Sequence, residues 1–343
     1  MKPLFTIGIA SYNYASYMEK GLNAIKRQKF KNYEVLISDD CSTDNSVEVI
    51  KKYIADNPDM NIRLIENDKN RGIEYNKNKL IECCEGEYLM LCDADDWMAD
   101  NCLEVMADII EKEHPDRIIS EVAHISDDGK IIQIECLTDS QTKWGWNIHH
   151  GCANRVEILR EHNIKIHGRP DDVYFTIEFS KYCKKVSIIK EVMYYWLVHL
   201  DSEGRGKIPV ASTEWVKSVH GTLLHDIENV IHYIEKRNDE NAKKDVEELR
   251  LVMLKMYYFK ILFSFQKYNL RNKLKYYKVL KNIMYNLDNN YLSNVYLKKG
   301  STAPLREYAM KSIRLCAGLE RYHLMPMALI GYHIIGKFKY FDQ

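Results

Sequence analysis

The chain has 343 residues, enough for two domains or for one large domain with an appendage. Hydrophobic residues make up 46% and charged residues 29%, which excludes a disordered chain and points to a soluble globular one. A net charge of zero hides an imbalance: residues 211–343 hold 22 Lys and Arg against 13 Asp and Glu, a surplus of +9, and residues 1–210 carry −9.

The first predicted element is a strand over residues 4–10 that ends in Ser11-Tyr12-Asn13. Helical spacing follows over 17–27. A second strand over 33–38 ends in Asp39-Asp40-Cys41-Ser42-Thr43-Asp44, and a helix covers 46–55. Residues 62–66 read as a third strand, and Asn70-Arg71-Gly72 is a turn before a helix reaching Cys83. Strands alternating with helices imply right-handed crossovers and a mostly parallel sheet covered on both faces. Ligands of such sheets bind beyond the carboxyl ends of the strands.

A fourth strand, from Tyr88 to Leu91, runs into Cys92-Asp93-Ala94-Asp95-Asp96-Trp97. Three carboxylates in four positions at the end of a buried strand repel one another and lose solvation, and a divalent cation would offset both costs. Hard cations such as Mg²⁺ or Mn²⁺ take oxygen ligands. The other reading is an Asp95 or Asp96 cap on a helix beginning near Ala99. Ala10-Ser11-Tyr12-Asn13-Tyr14-Ala15 lacks the glycines of a dinucleotide fingerprint, and no P-loop pattern occurs. Carboxylates at the strand ends argue instead for phosphates held through a bridging metal.

Four stretches now stand in order: Ile9-Ala10-Ser11-Tyr12-Asn13, Ile37-Ser38-Asp39-Asp40-Cys41-Ser42-Thr43-Asp44, Asn70-Arg71-Gly72, and Gly86-Glu87-Tyr88 through Asp96. Together they resemble the family 2 glycosyltransferases over residues 3 to about 200. The resemblance implies a GT-A fold, α/β with a Rossmann-like, mostly parallel sheet flanked by helices. It also implies an enzyme that uses Mn²⁺ or Mg²⁺, binds a UDP-sugar and inverts the anomeric centre. Carried over by position, Asp40 accepts from the uracil imide and Tyr12 lies against the base. Ser11, Asn13 and Ala94 belong to the same donor-binding motifs. Asp93 lies near the ribose, Asp95 ligates the metal with Asp96 in support, and Arg71 lies near the base or diphosphate. Plainer roles stand beside these: Asx turns and caps for Asp39, Asp40 and Asp44, a core aromatic for Tyr12, a surface ion pair for Arg71. Ala10 and Cys41 depart from the usual family residues without removing a group the chemistry needs.

Further on, Asp127-Asp128-Gly129-Lys130 turns a hairpin between strands over 118–125 and 131–136. Residues 144–154, with Trp144, Trp146, Asn147, His149, His150 and Asn154, suit either a sugar acceptor or a wet, partly buried loop. Asp171-Asp172 opens a helix toward Lys181, where acids also favour the helix dipole. The resemblance makes Asp172 the base that deprotonates the acceptor hydroxyl and Asp171 its supporting contact. Asp171 is shorter than the more frequent Glu. A strand over 194–199 is followed by a Gly-rich loop in which Arg205 and Lys207 would close over the diphosphate. His199 is a further metal or phosphate candidate, against the usual structural role of a lone histidine.

From Ala211 the pattern is helical and basic, with runs over 215–236, 239–268 and 272–287. The predicted division is a catalytic domain over 1–210 and an all-helical C-terminal domain over 211–343. The basic helices suit packing on the acidic half or on a second copy, an anionic membrane surface, or an anionic acceptor. Residues 325–341 are the favoured membrane or partner contact. No motif for nucleic acid accompanies the charge.

Nine cysteines without C-x-x-C spacing predict a reducing compartment. The N-terminus runs straight into the first strand with no leader pattern, and no window nears the ~18 apolar residues that span a bilayer. The expected place is the cytoplasm, at the inner face of the cell membrane where the tail makes contact. The functional expectation is transfer of a sugar from a UDP-sugar to a glycan or glycolipid hydroxyl, of the cell-surface polysaccharide, teichoic acid or lipooligosaccharide type. The alternatives are a nucleotidyltransferase that releases pyrophosphate and a non-catalytic carbohydrate-binding or scaffold protein.

Overall fold

The computed structural model describes residues 2–135, 150–166, 171–198, 222–236, 242–263, 269–301 and 307–335. Two compact units divide the chain, Met1–Gly206 and Lys207–Gln343. The border predicted after residue 210 lies outside the described residues.

In the first unit, strands and helices alternate: β1 Phe5–Ser11, α1 Ala15–Lys26, β2 Tyr33–Asp39, α2 Ser46–Asp56, β3 Ile62–Glu66, α3 Ile73–Cys83 and β4 Tyr88–Asp93. β1 pairs in parallel with β2 and β4, and β2 with β3. All seven residues of β1 and of β2 are buried, as strands covered on both faces require. Alternate residues serve separate cores. Phe5, Ile7, Ile9, Val35, Ile37, Tyr88 and Met90 pack with Met18 and Leu22 of α1 and Ile50 of α2. Leu36, Leu89 and Leu91 face Leu80 and Ile81 of α3.

The remainder of the unit comprises β5 Trp97–Met98, α4 Cys102–Glu113, β6 Arg117–Ser126, β7 Ile131–Glu135, β8 Cys152–Arg155, α5 Val156–Glu161, α6 Asp171–Ser180 and β9 Val186–Val198. The sheet order is β3-β2-β1-β4-β8-β6-β9-β5, with β7 on β6. β8 joins the two halves, antiparallel to both β4 and β6, while β6 and β9 run parallel. The expected β6–β7 hairpin is present, with Gly129 at φ +79° in its turn. The strands β5 and β8 were not legible by periodicity, because two and four residues are too few to show a period. β9 begins eight residues before the predicted strand.

The second unit is helical where described: α7 Thr222–Glu235, α8 Ala242–Phe263, α9 Leu270–Leu287, α10 Glu307–Arg321 and α11 Met325–Ile335, with two 3₁₀ turns between α9 and α10. Leu249, Leu254, Leu280, Met284 and Ile313 form its interior. Within that interior, Glu320 accepts from the hydroxyls of Tyr257 at 2.8 Å, Tyr258 at 2.9 Å and Tyr277 at 3.1 Å. Among the described residues, no helix is long and apolar enough to cross a membrane.

Candidate functional site

Strand register brings the polar motifs to one sheet edge. Ser11 at the end of β1 stands opposite Asp39 of β2, and Ala10 stands opposite Asp93 of β4. Parallel neighbours that end at the same level must deliver their following loops to a common rim.

The loops after β1 and β2 are tied together. Asn13 has φ +61°, and its side-chain oxygen accepts from the Thr43 N–H at 2.8 Å. The Asn13 N–H donates to Ser42 Oγ at 2.9 Å. Ser11 is buried and its hydroxyl donates to Asp39 Oδ2 at 3.1 Å. Asp39 also accepts from the Ser42 N–H at 2.8 Å. The side chains of Ser11 and Asn13 therefore act within the rim, shaping it rather than facing out of it. Tyr12 between them is 39% exposed and presents its ring at the edge.

Asp40 is buried at the same rim. Its Oδ1 accepts from the Arg71 N–H at 2.9 Å and from Asn67 Nδ2 at 3.0 Å, and its Oδ2 from the Gly72 N–H at 2.7 Å. Gly72, at φ +86°, takes a backbone conformation open mainly to glycine, which turns its N–H onto the carboxylate. An ionised carboxylate has about four acceptor positions, so these three bonds leave one on Oδ2. The Arg71 guanidinium makes the surface ion pair weighed above, 2.8 Å from Asp68, and lies 4.8 Å from the Tyr75 ring.

The acidic turn after β4 has separated roles. The Asp96 N–H donates to the Asp93 carbonyl at 3.2 Å, closing the turn. Asp96 is 2% exposed, and both its oxygens are engaged by β9: Oδ2 accepts from the Tyr194 hydroxyl at 2.9 Å, Oδ1 from the Leu197 N–H at 2.8 Å. Burial pushes its carboxyl well above the usual range, the charge of His150 opposes that, and Asp93 and Asp95 add to it. Ala94 packs into the core, and Asp95 is largely buried. Asp93 is the more open of the flanking acids, its side chain 39% exposed.

His150 joins this turn from the residue pair before β8. Its Nε2 lies 3.3 Å from Asp93 Oδ2 and 3.7 Å from Asp96 Oδ2. The ring stacks on Trp196 at 4.7 Å and meets Tyr194 at 5.1 Å. Burial by itself would lower its pKa, but the carboxylates of Asp93 and Asp96 outweigh that and hold it above the ordinary value. One ligand atom from each of Asp93, Asp96 and His150 lies within 4.8 Å of the others. This is a mixed oxygen and nitrogen set that fits a divalent first-row ion. The stretch that contains His150 was expected to serve a sugar acceptor or a wet, partly buried loop, and not the acidic turn. His150 lies 57 positions from Asp93, and no local spacing joins them.

Asp171 and Asp172 are the first two residues of α6, which matches the helix expected there. The described residues do not include their side chains, and they exclude His199, Arg205 and Lys207 altogether.

The model of "Glycosyl transferase family 2" matches residues 6–159. Those residues are a family 2 glycosyltransferase domain. EpsH of Bacillus subtilis, named as a glycosyltransferase, is 24% identical over 221 residues, which are 58% of this chain and 62% of EpsH. TarS of Staphylococcus aureus, a poly(ribitol-phosphate) beta-N-acetylglucosaminyltransferase, is 22% identical over 211 residues, 58% of this chain and 36% of TarS. The matches thus span less than two thirds of these relatives. Among solved structures, TarS 1–349 in complex with UDP-GlcNAc superposes with a TM-score of 0.62 at 18% identity, covering 99% of this chain and 93% of that one. The Pyrobaculum calidifontis mannosyltransferase PcManGT, in complex with GDP-Man and Mn²⁺, gives 0.53 at 15% identity, covering 98% and 88%. The glycosyltransferase domain therefore has the GT-A fold, followed by a helical region.

Proposed function

We propose that the protein is an inverting, metal-dependent glycosyltransferase that moves a hexose-type sugar from a UDP-sugar to a hydroxyl of a cell-surface glycan or glycolipid. The observation that carries this reading is the shared rim of β1, β2 and β4, where Asp40, just past the end of β2, keeps an acceptor position and the partly exposed Asp93 carboxylate ends β4 on the other side of β1. Asp40 Oδ2 would accept from the uracil imide with the Tyr12 ring against the base, and Asp93 would take a ribose hydroxyl.

The set of Asp93, Asp96 and His150 fits Mn²⁺ or Mg²⁺, because two acids crowded at a buried strand end repel one another and a divalent ion would relieve that repulsion. Asp95 completes the metal-holding residues by its position in the family motif. When bound, the ion offsets charge on the diphosphate and so improves UDP as a leaving group. Asp172 acts as base: its carboxylate takes the acceptor hydroxyl proton as that oxygen forms its bond to the anomeric carbon, opposite the departing UDP. Asp171 orients the acceptor, and Arg205 and Lys207 would meet the UDP charge as it develops.

The acceptor class rests on the likeness to a poly(ribitol-phosphate) transferase and on the basic C-terminal helices. Those helices would also keep the protein at the inner face of the membrane: Leu315, Tyr322, Leu324 and Met327 are exposed around the α10–α11 corner, beside Lys311 and Arg321.

The test is release of UDP from a panel of UDP-sugars with and without Mn²⁺. The expected result is metal-dependent UDP release that Asp172→Asn nearly abolishes while UDP binding by calorimetry persists. Pyrophosphate as the product, or full activity of Asp172→Asn, would overturn the reading.

A further inference from the structure

Asp93, Asp95, Asp96 and His150 offer more ligand atoms than one ion needs from the protein, and the geometry around His150 narrows the choice. We propose that His150 Nε2 is a ligand of the donor-site metal beside Asp93, and that this nitrogen donor makes the site prefer Mn²⁺ to Mg²⁺. This inference rests on the donor reading of the same rim.

Distances carry the first part of the argument. A charge-assisted bond from imidazole to carboxylate closes to about 2.7–2.9 Å when it is the purpose of the contact. Nε2 stands off instead, at 3.3 Å from Asp93 Oδ2 and 3.7 Å from Asp96 Oδ2. An octahedral ion with bonds of about 2.1 Å sets adjacent ligand atoms about 3 Å apart. The spacing is therefore longer than a tight ion pair and close to that of neighbouring ligands around one ion.

The imidazole is also held in place before any ion arrives. Its side chain is only 10% exposed, with Trp196 stacked on it and Tyr194 against it. Behind it, the Gly151 carbonyl accepts from the Ser120 N–H at 3.0 Å and from the Ser120 hydroxyl at 2.9 Å, and Cys152 starts β8. A ligand with its rotamer fixed by packing loses little freedom on binding.

Chemistry carries the second part. Mg²⁺ takes oxygen ligands and keeps much of its water, whereas nitrogen donors favour first-row transition ions. An all-carboxylate turn would leave the two ions nearly equivalent. One imidazole in the set removes that equivalence.

The experiment uses the full chain loaded with Mn²⁺ alone and reads pulsed electron paramagnetic resonance. The expected result is a ¹⁴N modulation from a directly bound imidazole. His150→Gln should abolish it, weaken Mn²⁺ binding about tenfold or more and change Mg²⁺ binding less than about twofold. A ¹⁴N signal that persists in a folded His150→Gln protein, or an unchanged ratio of Mn²⁺ to Mg²⁺ affinity, would overturn the proposal. Should that variant not fold, the wild-type chain labelled with ¹⁵N-histidine must shift the modulation; no histidine-dependent coupling would also overturn it. Mn²⁺ ligated by His150 in a protein that binds no UDP-sugar would leave the ligand assignment standing and sink the donor reading instead.

Discussion

The Tyr194 hydroxyl donates to Asp96 Oδ2 at 2.9 Å and accepts from the Asp93 N–H at 3.1 Å, so one phenol on β9 locks both ends of the acidic turn after β4. Tyr194 is fully buried, so neither bond is exchanged for water when it is lost. Tyr194→Phe should destabilise the protein by about 1–3 kcal/mol, the scale of leaving buried polar groups unpaired. Denaturant unfolding of the purified variant measures this. A loss within error of zero would mean that the lock does not hold the turn.

Asp40→Asn tests the neighbouring strand end. Asp40 accepts three N–H groups, and an amide side chain would turn its own NH₂ toward at least one of them. The turn carrying Arg71 and Gly72 would loosen, and the acceptor position on Oδ2 would become a donor facing the uracil imide. The expected outcome is at least a tenfold weaker affinity for UDP, about 1.4 kcal/mol, by calorimetry in the presence of Mn²⁺. Equal affinity would remove Asp40 from the base site.

These two sites differ in how far the sequence revealed them. Runs of apolar residues ending in polar residues, acids after β2 and β4 and Ser11-Tyr12-Asn13 after β1, announced these strands, and a parallel sheet has only one edge at which those ends can meet. The rim was legible for that reason. Asp96 was expected to support the metal, and it stands in the cluster with Asp93 and His150 while its oxygens also accept from Tyr194 and Leu197, partners the sequence did not reveal. Ser11 and Asn13 were expected at the donor, and their side chains bond within the rim. A side chain's own hydrogen bonds depend on partners far along the chain, and His150 reaches Asp93 only because β8 bridges β4 and β6. Pairing of that kind leaves no period to read.

In the helical unit, Glu320→Ala should be severe. The carboxylate is 2% exposed and accepts three tyrosine hydroxyls, with Lys281 at 3.9 Å. Removing it strands those hydroxyls in an apolar interior, at a cost of about 3–5 kcal/mol. Tyr277→Phe deletes one bond and should cost about 1 kcal/mol. Thermal melts followed by circular dichroism rank the two, and a milder effect for Glu320→Ala would contradict the network.

Glu228 on α7 gives a pH test. Burial raises its carboxyl pKa above the ordinary value, against the opposing charges of His232 and Arg250, and among the described residues Oε2 has no hydrogen-bond partner. A raised folded pKa means that the native state binds more protons than the unfolded chain above pH 4.5, so stability falls as pH rises through that window. Glu228→Gln removes the buried charge. It should raise the melting temperature near pH 7 and leave it nearly unchanged near pH 4, by scanning calorimetry across the range. Equal shifts at both pH values would rule out the ionised carboxylate as the cause.

Gly151 fixes where His150 stands, and a double mutant can separate its two constraints. At φ +68° a side chain is strained, and an added Cβ would lie 2.2 Å from Ser120 Oγ but 3.5 Å from Ser120 Cβ. The severe clash is with the hydroxyl, while Tyr194 Cβ at 3.3 Å is a tight contact that remains when the hydroxyl is gone. Gly151→Ala should therefore be destabilising, because the Ser120 hydroxyl must swing off its bond to the Gly151 carbonyl, or β6 or the His150 backbone must move. Adding Ser120→Ala removes the offending oxygen and its bond to the Gly151 carbonyl, leaving the φ penalty of about 1 kcal/mol and one lost hydrogen bond. The pair should be more stable than Gly151→Ala alone, a coupling that denaturant melts of the two single variants and the double variant detect. Strict additivity would mean that the contact between β6 and the residue after His150 is not what holds the histidine at the acidic turn.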